Sequence, residues 1–473
     1  MRSLESQACI QMDSIRDGAR SIIEHNHVLP TSAQLCYGLP YEADGRAIIL
    51  ISRPAGTRLP GDALEAVNPL GDRMEPNTRL SLAERTMMEF AVKTGLSPVG
   101  RAPRRYLWTD AFAVCNFLGL YGHTGKEEYR NLAVLLIDQV HNILGRHRED
   151  DARSGWVSGL DEEAGKIHPT KGGLRIGKQI NERRPDERPD ARLEWERDGQ
   201  YYHYLTKWMH ALNRASQVTG NMKYNEWAIE LAKTAHAGFT YTPAGGGRKM
   251  MYWKMSIDLS YSLVPSMGHH DPLDGLVVYS QLRATSSAGA QPSRHLDLTA
   301  EINDLARICT AKSWVTDDPL GIGGLLCDAC KVGQMIAAKT FEQTDLLESL
   351  LEDSRLSLNS YIRTSPLNLP AGYRLAFREL GLSIGLRAVE KLRQLIEAKP
   401  IRLHRAEQLR GRIEAVTRYV PVAETIEEFW LEQVNRESAT WQEHHDINTV
   451  MLATSLAPEG YLSDDSQSVV SNQ

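Results

Sequence analysis

Hydrophobic positions along this chain change their rhythm near residue 80. Upstream, residues 1–78 carry Pro30, Pro40, Pro54, Pro60 and Pro69 among many glycines, and only residues 47–52 (AIILIS) read as a short strand. An irregular N-terminal arm is expected there. Downstream, Ser81-Leu-Ala-Glu84 has the spacing of a capping box, in which the serine accepts from the backbone three residues on and the glutamate reaches back. Helical periodicity dominates from that point, although residues 250–259 (MMYWKMSIDL) alternate enough to leave a strand open.

The pattern also repeats. Thr124-Gly125-x3-Tyr129-x3-Ala133 recurs as Thr219-Gly220-x3-Tyr224-x3-Ala228, each glycine ending one helix and turning the chain into an antiparallel partner. In the partner, Tyr and Ala four apart share a face and pack back on the first helix. Weaker copies place first helices near Trp108, Gly199, Pro272, Pro319, Tyr373 and Asp446. Their partners cover about 127–144, 223–237, 296–311, 341–362 and 406–434, with 82–93 as the sixth. Six inner and six outer helices can close into a ring over 79–458. Two long connections interrupt it, 145–197 and 240–267, and the first reads as a lid because loops of that length are usually functional. Residues 459–473 lack apolar periodicity and are expected to be a disordered tail.

Composition narrows the class of protein. Of 473 residues, 42% are hydrophobic and 24% charged, which is ordinary globular usage and excludes collagenous or fibrous chains. A net charge of -6 argues against a nucleic-acid partner. No stretch reads as the ~20 apolar residues of a membrane span, and the N-terminus lacks the apolar run of a secretory signal, so a cytoplasmic protein is expected. Six cysteines are too sparse for a disulfide framework and suit a reducing compartment.

The expected inner-helix starts carry the candidate chemistry: Trp108-Thr-Asp110, Asp198-Gly199-Gln200, His269-His270-Asp271-Pro272, Asp317-Asp318-Pro319, Pro370 to Tyr373, and His444-His445-Asp446. Helix N-termini present unpaired N–H groups and partial positive charge, so a ring of them makes one polar funnel. For Asp318, helix capping ahead of a proline is the favoured reading; for Asp271 capping and chemistry balance, because two histidines precede it and Asp274 follows. In 192–210, Glu194, Glu196 and Asp198 alternate on an extended approach, and three crowded carboxylates divide into an acid and a base. The alternative there is a solvated charge run paired with Arg192 and Arg197. Trp108, Trp156, Tyr201, Tyr204, Trp253 and Trp314 fall near the same loops. Adjacent histidines point in different directions and chelate poorly, so no metal and no cofactor is expected. Gly172-x4-Gly177-Lys178 fails as a P-loop because Gln179 stands where Ser or Thr would hold magnesium. Cys327-x2-Cys330 has no second pair and reads as core, and Arg101 to Arg105 is too short a basic cluster for nucleic acid.

Leu120-Tyr-Gly-His-Thr-Gly125-Lys-Glu-Glu-Tyr129, with Ala133 after it, resembles the hairpin units of six-hairpin glycosidase-like (α/α)6 barrels. These include glycoside hydrolases, unsaturated uronyl hydrolases and the N-acylglucosamine 2-epimerase group. The resemblance spans roughly 81–458 as architecture and implies an all-α (α/α)6 toroid whose active site lies where the inner helices begin. It implies hydrolysis of a glycosidic bond in a small saccharide, one carboxylic acid protonating the leaving oxygen while a carboxylate activates water. Asp198 and Asp271 are the expected pair, with Glu196 and Asp110 as substitutes. Trp108, Tyr201, His203, Trp253, His270, His445 and Asp446 would hold the sugar. Two alternatives stay open: an epimerase or isomerase using His270 and His445 as opposed acid and base, and a non-catalytic scaffold or ligand-binding ring. A homo-oligomer that shares the 145–197 loop is compatible with each.

Overall fold

The computed structural model describes residues 74–100, 102–287, 296–398 and 406–463. The strand expected at 47–52, most of the arm and the last ten residues lie outside them. In chain order the helices are α1 (Pro76–Lys93), α2 (Leu107–Thr124), α3 (Glu127–Leu144), and the short α4 (Glu162–Ile167) and α5 (Leu193–Glu196). Strand β1 (Gln200–Tyr201) leads into α6 (Tyr202–Thr219) and α7 (Lys223–Phe239), followed by β2 (Thr240–Tyr241), β3 (Met250–Met251), β4 (Lys254–Met255) and β5 (Ser262–Val264). Next come α8 (Asp271–Ser287), α9 (Thr299–Cys309), α10 (Pro319–Ala337), α11 (Thr344–Arg363), α12 (Ala376–Ala398), α13 (Ala406–Thr417) and α14 (Pro421–Leu431). The chain ends through α15 (Gln433–Arg436), α16 (Ala439–Glu443), α17 (His445–Leu456) and α18 (Glu459–Leu462).

Burial separates two circles. Helix α2 is apolar on every side and buries nearly every residue from Leu107 to Leu120, whereas α3 buries one stripe, Tyr129, Leu132, Ala133, Leu136, Ile137 and Val140. The first belongs inside, the second outside. Helices α2, α6, α8, α10, α12 and α17 each pack on the next, and α17 returns to α2, which closes the inner ring. The outer helices α1, α3, α7, α9, α11 and α14 lie against them. Each outer helix runs antiparallel to the inner one before it, so all six inner helices start at one end. This is the (α/α)6 toroid that the hairpin pattern implies. Gly125 and Gly220 cap α2 and α6 in the left-handed region, at φ 67° and 71°. Helices α10 and α12 approach backbone to backbone, because a Cβ on Gly385 would come within 2.6 Å of Gly323.

Several expectations are corrected. Ser81 is not a cap: α1 begins at Pro76, where a proline costs no helical hydrogen bond, and the Ser81 hydroxyl donates to the Asn77 carbonyl at 2.9 Å. Glu84 instead accepts from Lys126 at 2.6 Å and from the Tyr129 hydroxyl. The expected 406–434 helix breaks into α13 and α14 ahead of Pro421. Helix α10 is long and apolar enough to cross a bilayer by composition, and it is a buried member of the inner ring. The tail does not begin at 459. Helix α18 enters the ring at the end opposite the inner-helix starts, where Tyr461 stacks on Phe112 at 4.6 Å and its carbonyl meets His210 at 2.9 Å.

The two long connections lock together on the side where the inner helices begin. Strands β1, β4 and β5 form one small antiparallel sheet, and β2 pairs with β3 in another. Arg153 of the first loop pairs with Asp258 of the second at 2.9 Å and also with Glu182, while the Tyr261 hydroxyl donates to the Arg183 carbonyl.

Candidate functional site

A chain of aromatic contacts, the aromatic wall, runs across the starts of α2 and α6, with Trp108, Tyr201 and Tyr204 buried in it and Trp195 and Trp253 partly exposed. Trp253 meets Trp195 edge-on at 5.0 Å, Trp195 stacks on Tyr201 at 6.1 Å, and Tyr201 is followed by His203 at 5.4 Å. Beyond them Tyr204 lies 6.4 Å from Trp108, and its hydroxyl is 2.8 Å from that of Tyr106. These contacts link Trp108, Tyr201, His203 and Trp253 in one chain. Trp156 and Trp314 are not part of the wall: Trp156 is buried under Arg146 at 4.2 Å, and Trp314 is buried at the α10 approach.

Asp271 opens α8 beside His203, at the end of this wall. His270, not Asp271, supplies the carbonyl that accepts the first helical N–H groups, from Leu273 and Asp274. The Asp271 carboxyl is therefore free of capping work. It is buried, its Oδ1 stands 3.8 Å from His203 Nδ1, and its Oδ2 has no hydrogen-bond partner among the described residues. Burial raises its pKa to about 7, the negative charge of Asp274 adds to that, and Lys312 and Lys207 oppose it. Burial lowers His203 to about 4, so its imidazole is neutral beside a carboxylic acid. Asp318 behaves as a cap, accepting from the Leu320 and Gly321 N–H groups at 3.3 Å, and it pairs with Arg378 at 2.6 Å.

The other expected carboxylates are placed differently. Asp198 is fully buried and saturated: it accepts from Arg175 at 2.5 Å, from Gly177 N–H at 3.0 Å and from Gly199 N–H at 3.1 Å, with Arg148 at 3.5 Å. These donors take up both carboxylate oxygens, so Asp198 anchors the end of the 145–197 loop. Residues 193–196 form a helical turn, not an extended approach, so Glu194, Glu196 and Asp198 do not share a side. Glu194 is buried against Arg183, while Glu196 is exposed and its charge reaches Lys178 and His444. Asp110 is buried between Arg105 at 3.1 Å and the Tyr106 N–H at 2.9 Å, and burial lifts it to about 6. It holds the start of α2 together.

The histidines also divide. His270 Nε2 donates to the Trp314 carbonyl at 3.0 Å, which ties α8 to the loop before α10. His445 turns toward α1, with Nε2 2.8 Å from Lys93 Nζ and Nδ1 3.3 Å from Asp446, and Asp446 pairs with Arg104. Neither faces Asp271 as an opposed base. His444 is the one near the rim: Phe377 is 5.3 Å away, and Glu443, Arg378 and Glu196 all act on it electrostatically, while burial holds its pKa below the ordinary value. Of the expected His-His-Asp triplet, His445 thus pairs with α1 and Asp446, while His444 lies against Phe377; Lys207 and Asp328 carry no local signal in the sequence. Among the described residues no group of three potential ligands is placed to hold a metal ion.

No family model matches the sequence, and no curated protein matches it. Solved structures similar to this chain include the GH76A alpha-1,6-mannanase of Salegentibacter sp. HEL1_6, at 12% identity and a TM-score of 0.45, over 80% of this chain and 99% of that one. The GH76 alpha-mannanase of Bacteroides thetaiotaomicron is similar at 11% identity and a TM-score of 0.46, over 82% of this chain and 100% of that one. The cellobiose 2-epimerase of Spirochaeta thermophila DSM 6192 is similar at 12% identity and a TM-score of 0.44, over 82% of this chain and 99% of that one.

Proposed function

We propose that this chain is a carbohydrate-processing enzyme that hydrolyses a glycosidic bond in a small saccharide, with Asp271 as general acid. One observation carries the reading: a buried carboxyl at an inner-helix start, protonated near neutrality and with one oxygen unengaged, beside an aromatic wall. Trp253, which is only partly buried, would stack on the apolar C–H face of a sugar ring, with Tyr201 and Trp108 packed behind it. Asp271 gives its proton to the leaving oxygen, and the exposed Glu196 takes one from the attacking water.

The 3.8 Å approach of His203 Nδ1 to Asp271 favours a second reading, epimerisation or isomerisation by that pair on one carbon. A saccharide panel that includes phosphorylated and uronic sugars, followed by chromatography, separates the two. Hydrolysis yields smaller sugars and is lost in Asp271→Asn and Glu196→Gln. Epimerisation yields an isomer of equal mass and is lost in Asp271→Asn and His203→Asn while Glu196→Gln keeps it. No product from any saccharide would remove both readings.

A further inference from the structure

Helix α18 lies across the base of the ring, at the end away from Asp271, and side chains of α2, α6, α10 and α12 hold it there. A single helical turn leaves its last carbonyls without partners of its own. Here three in succession are engaged from the ring: Arg214 Nε donates to the Gly460 carbonyl at 3.1 Å, His210 Nε2 to that of Tyr461 at 2.9 Å, and Gln334 Nε2 to that of Leu462 at 2.7 Å. Lys391 Nζ donates to the Ser463 hydroxyl at 2.6 Å. The Tyr461 ring, stacked on Phe112, meets His210 edge-on at 4.9 Å and lies 5.1 Å from Lys331 Nζ. Gly460 fits because it has no side chain: a Cβ there would stand 2.1 Å from the Cys115 carbonyl oxygen and 2.9 Å from Gly119 Cα. Gly460, Tyr461 and Leu462 are all buried.

The ring closes without this segment, because α17 itself packs on α2 and on α12. Ala457 ends α17 at φ −135° and ψ 74°, and Pro458, which has no N–H to donate, follows it. The N–H groups of Tyr461 and Leu462 donate back to the Pro458 carbonyl at 3.0 and 2.8 Å, and that of Ser463 to the Glu459 carbonyl at 2.9 Å. The segment thus satisfies these N–H groups within itself and turns its carbonyls and one aromatic ring toward the base, as a docked peptide does.

We propose that the base of the ring is a peptide-binding site whose occupant is this chain's own segment 459–463, a plug that leaves and returns while the ring stays folded. The site takes a turn in which glycine is followed by an aromatic residue. Glycine is required because backbone meets backbone at Gly119, and the aromatic because Phe112, His210 and Lys331 surround its ring. Release uncovers Lys331, whose Nζ stands 3.7 Å from Asp328 Oδ1 and has no hydrogen-bond partner among the described residues. The docked plug keeps water from that ion pair.

Native-state hydrogen exchange of the full chain reads release without any substitution. The amides of Tyr461, Leu462 and Ser463 should exchange together and at least about tenfold faster than the buried amides of α2 and α6. Exchange of the three only at the rate of those ring helices would overturn the proposal. Gly460→Val drives a side chain into Cys115 and Gly119 and should expel the segment. A capped peptide of residues 458–463 (PEGYLS), titrated to about 10 mM and followed by the broadening of its NMR lines, should then bind the variant one-to-one and the wild type at least about tenfold more weakly. The same peptide with Tyr461→Ala should bind the variant at least about tenfold more weakly. No binding to the variant, equal binding to variant and wild type, or indifference to Tyr461→Ala overturns the proposal. Should Gly460→Val fail to fold, Tyr461→Ala in the chain, which gives up the ring contacts without intruding on the backbone, takes its place in the titration with the same expected and overturning results.

Discussion

Lys254 Nζ donates to the Arg197 carbonyl at 2.7 Å and so pins the end of the 145–197 loop to strand β4. The same ammonium donates to the Glu194 carbonyl and lies 5.2 Å from the Tyr201 ring, which joins the 145–197 loop to the aromatic wall. Lys254→Met leaves two carbonyls without this donor. It should cost about 2–6 kcal/mol, at ~1–3 kcal/mol for each buried acceptor left unmade, measured by urea unfolding. Burial lowers the Lys254 pKa to about 7, so between about 7 and 10.5 the folded chain binds fewer protons than the unfolded one. Its contribution to stability rises with pH across that window, and the variant should lose that slope.

Asp271 gives the opposite sign. Its pKa is raised to about 7 from 3.8, so between those values the folded chain binds a proton that the unfolded chain has released. Stability from this group is complete at low pH and is lost as pH rises through about 7. Asp271→Asn should therefore gain on the wild type steadily from about pH 4 to about pH 7, by at most about 1.4 kcal/mol per pH unit. Paired urea unfolding at several pH values measures this, and a difference independent of pH would contradict it.

The two expected partners, Asp198 and Asp271, should part company on substitution. Asp198→Asn removes the countercharge of buried Arg175 and should destabilise by about 3–5 kcal/mol, with loss of activity that follows loss of folded protein. Thermal unfolding and activity per folded molecule, measured together, separate this from a catalytic loss.

Gly268 packs against the Asp271 carboxyl, so a Cβ at that position would run into both oxygens. Gly268→Ala should displace the acid and lower turnover by about 10–100-fold. The same substitution should leave the aromatic wall untouched, which tryptophan fluorescence can verify.

Much of the ring was legible because its cues are local. Gly125 and Gly220 stop helices within a turn of their own signal, and Tyr129 and Ala133 share the buried stripe of α3 through a four-residue spacing. The site was less so. Asp198 is saturated by Arg175 and Arg148, which lie far from it in sequence, and no local pattern announces that pairing. The turn 193–196 is only four residues long, too short for periodicity to distinguish it from an extended strand. His444 and His445 differ by one residue, and the roll of α17 about its axis decides which faces the rim. Lys207 reaches Asp274 only because α6 and α8 are neighbours in the closed ring.

The most direct test is the turnover of an active saccharide by Asp271→Asn, measured per folded molecule at pH 6 and referred to the wild type. With Asp271 as the acid, turnover should fall by about 10²–10⁴-fold while the thermal unfolding midpoint does not decrease. Turnover within a few-fold of the wild type would contradict that role.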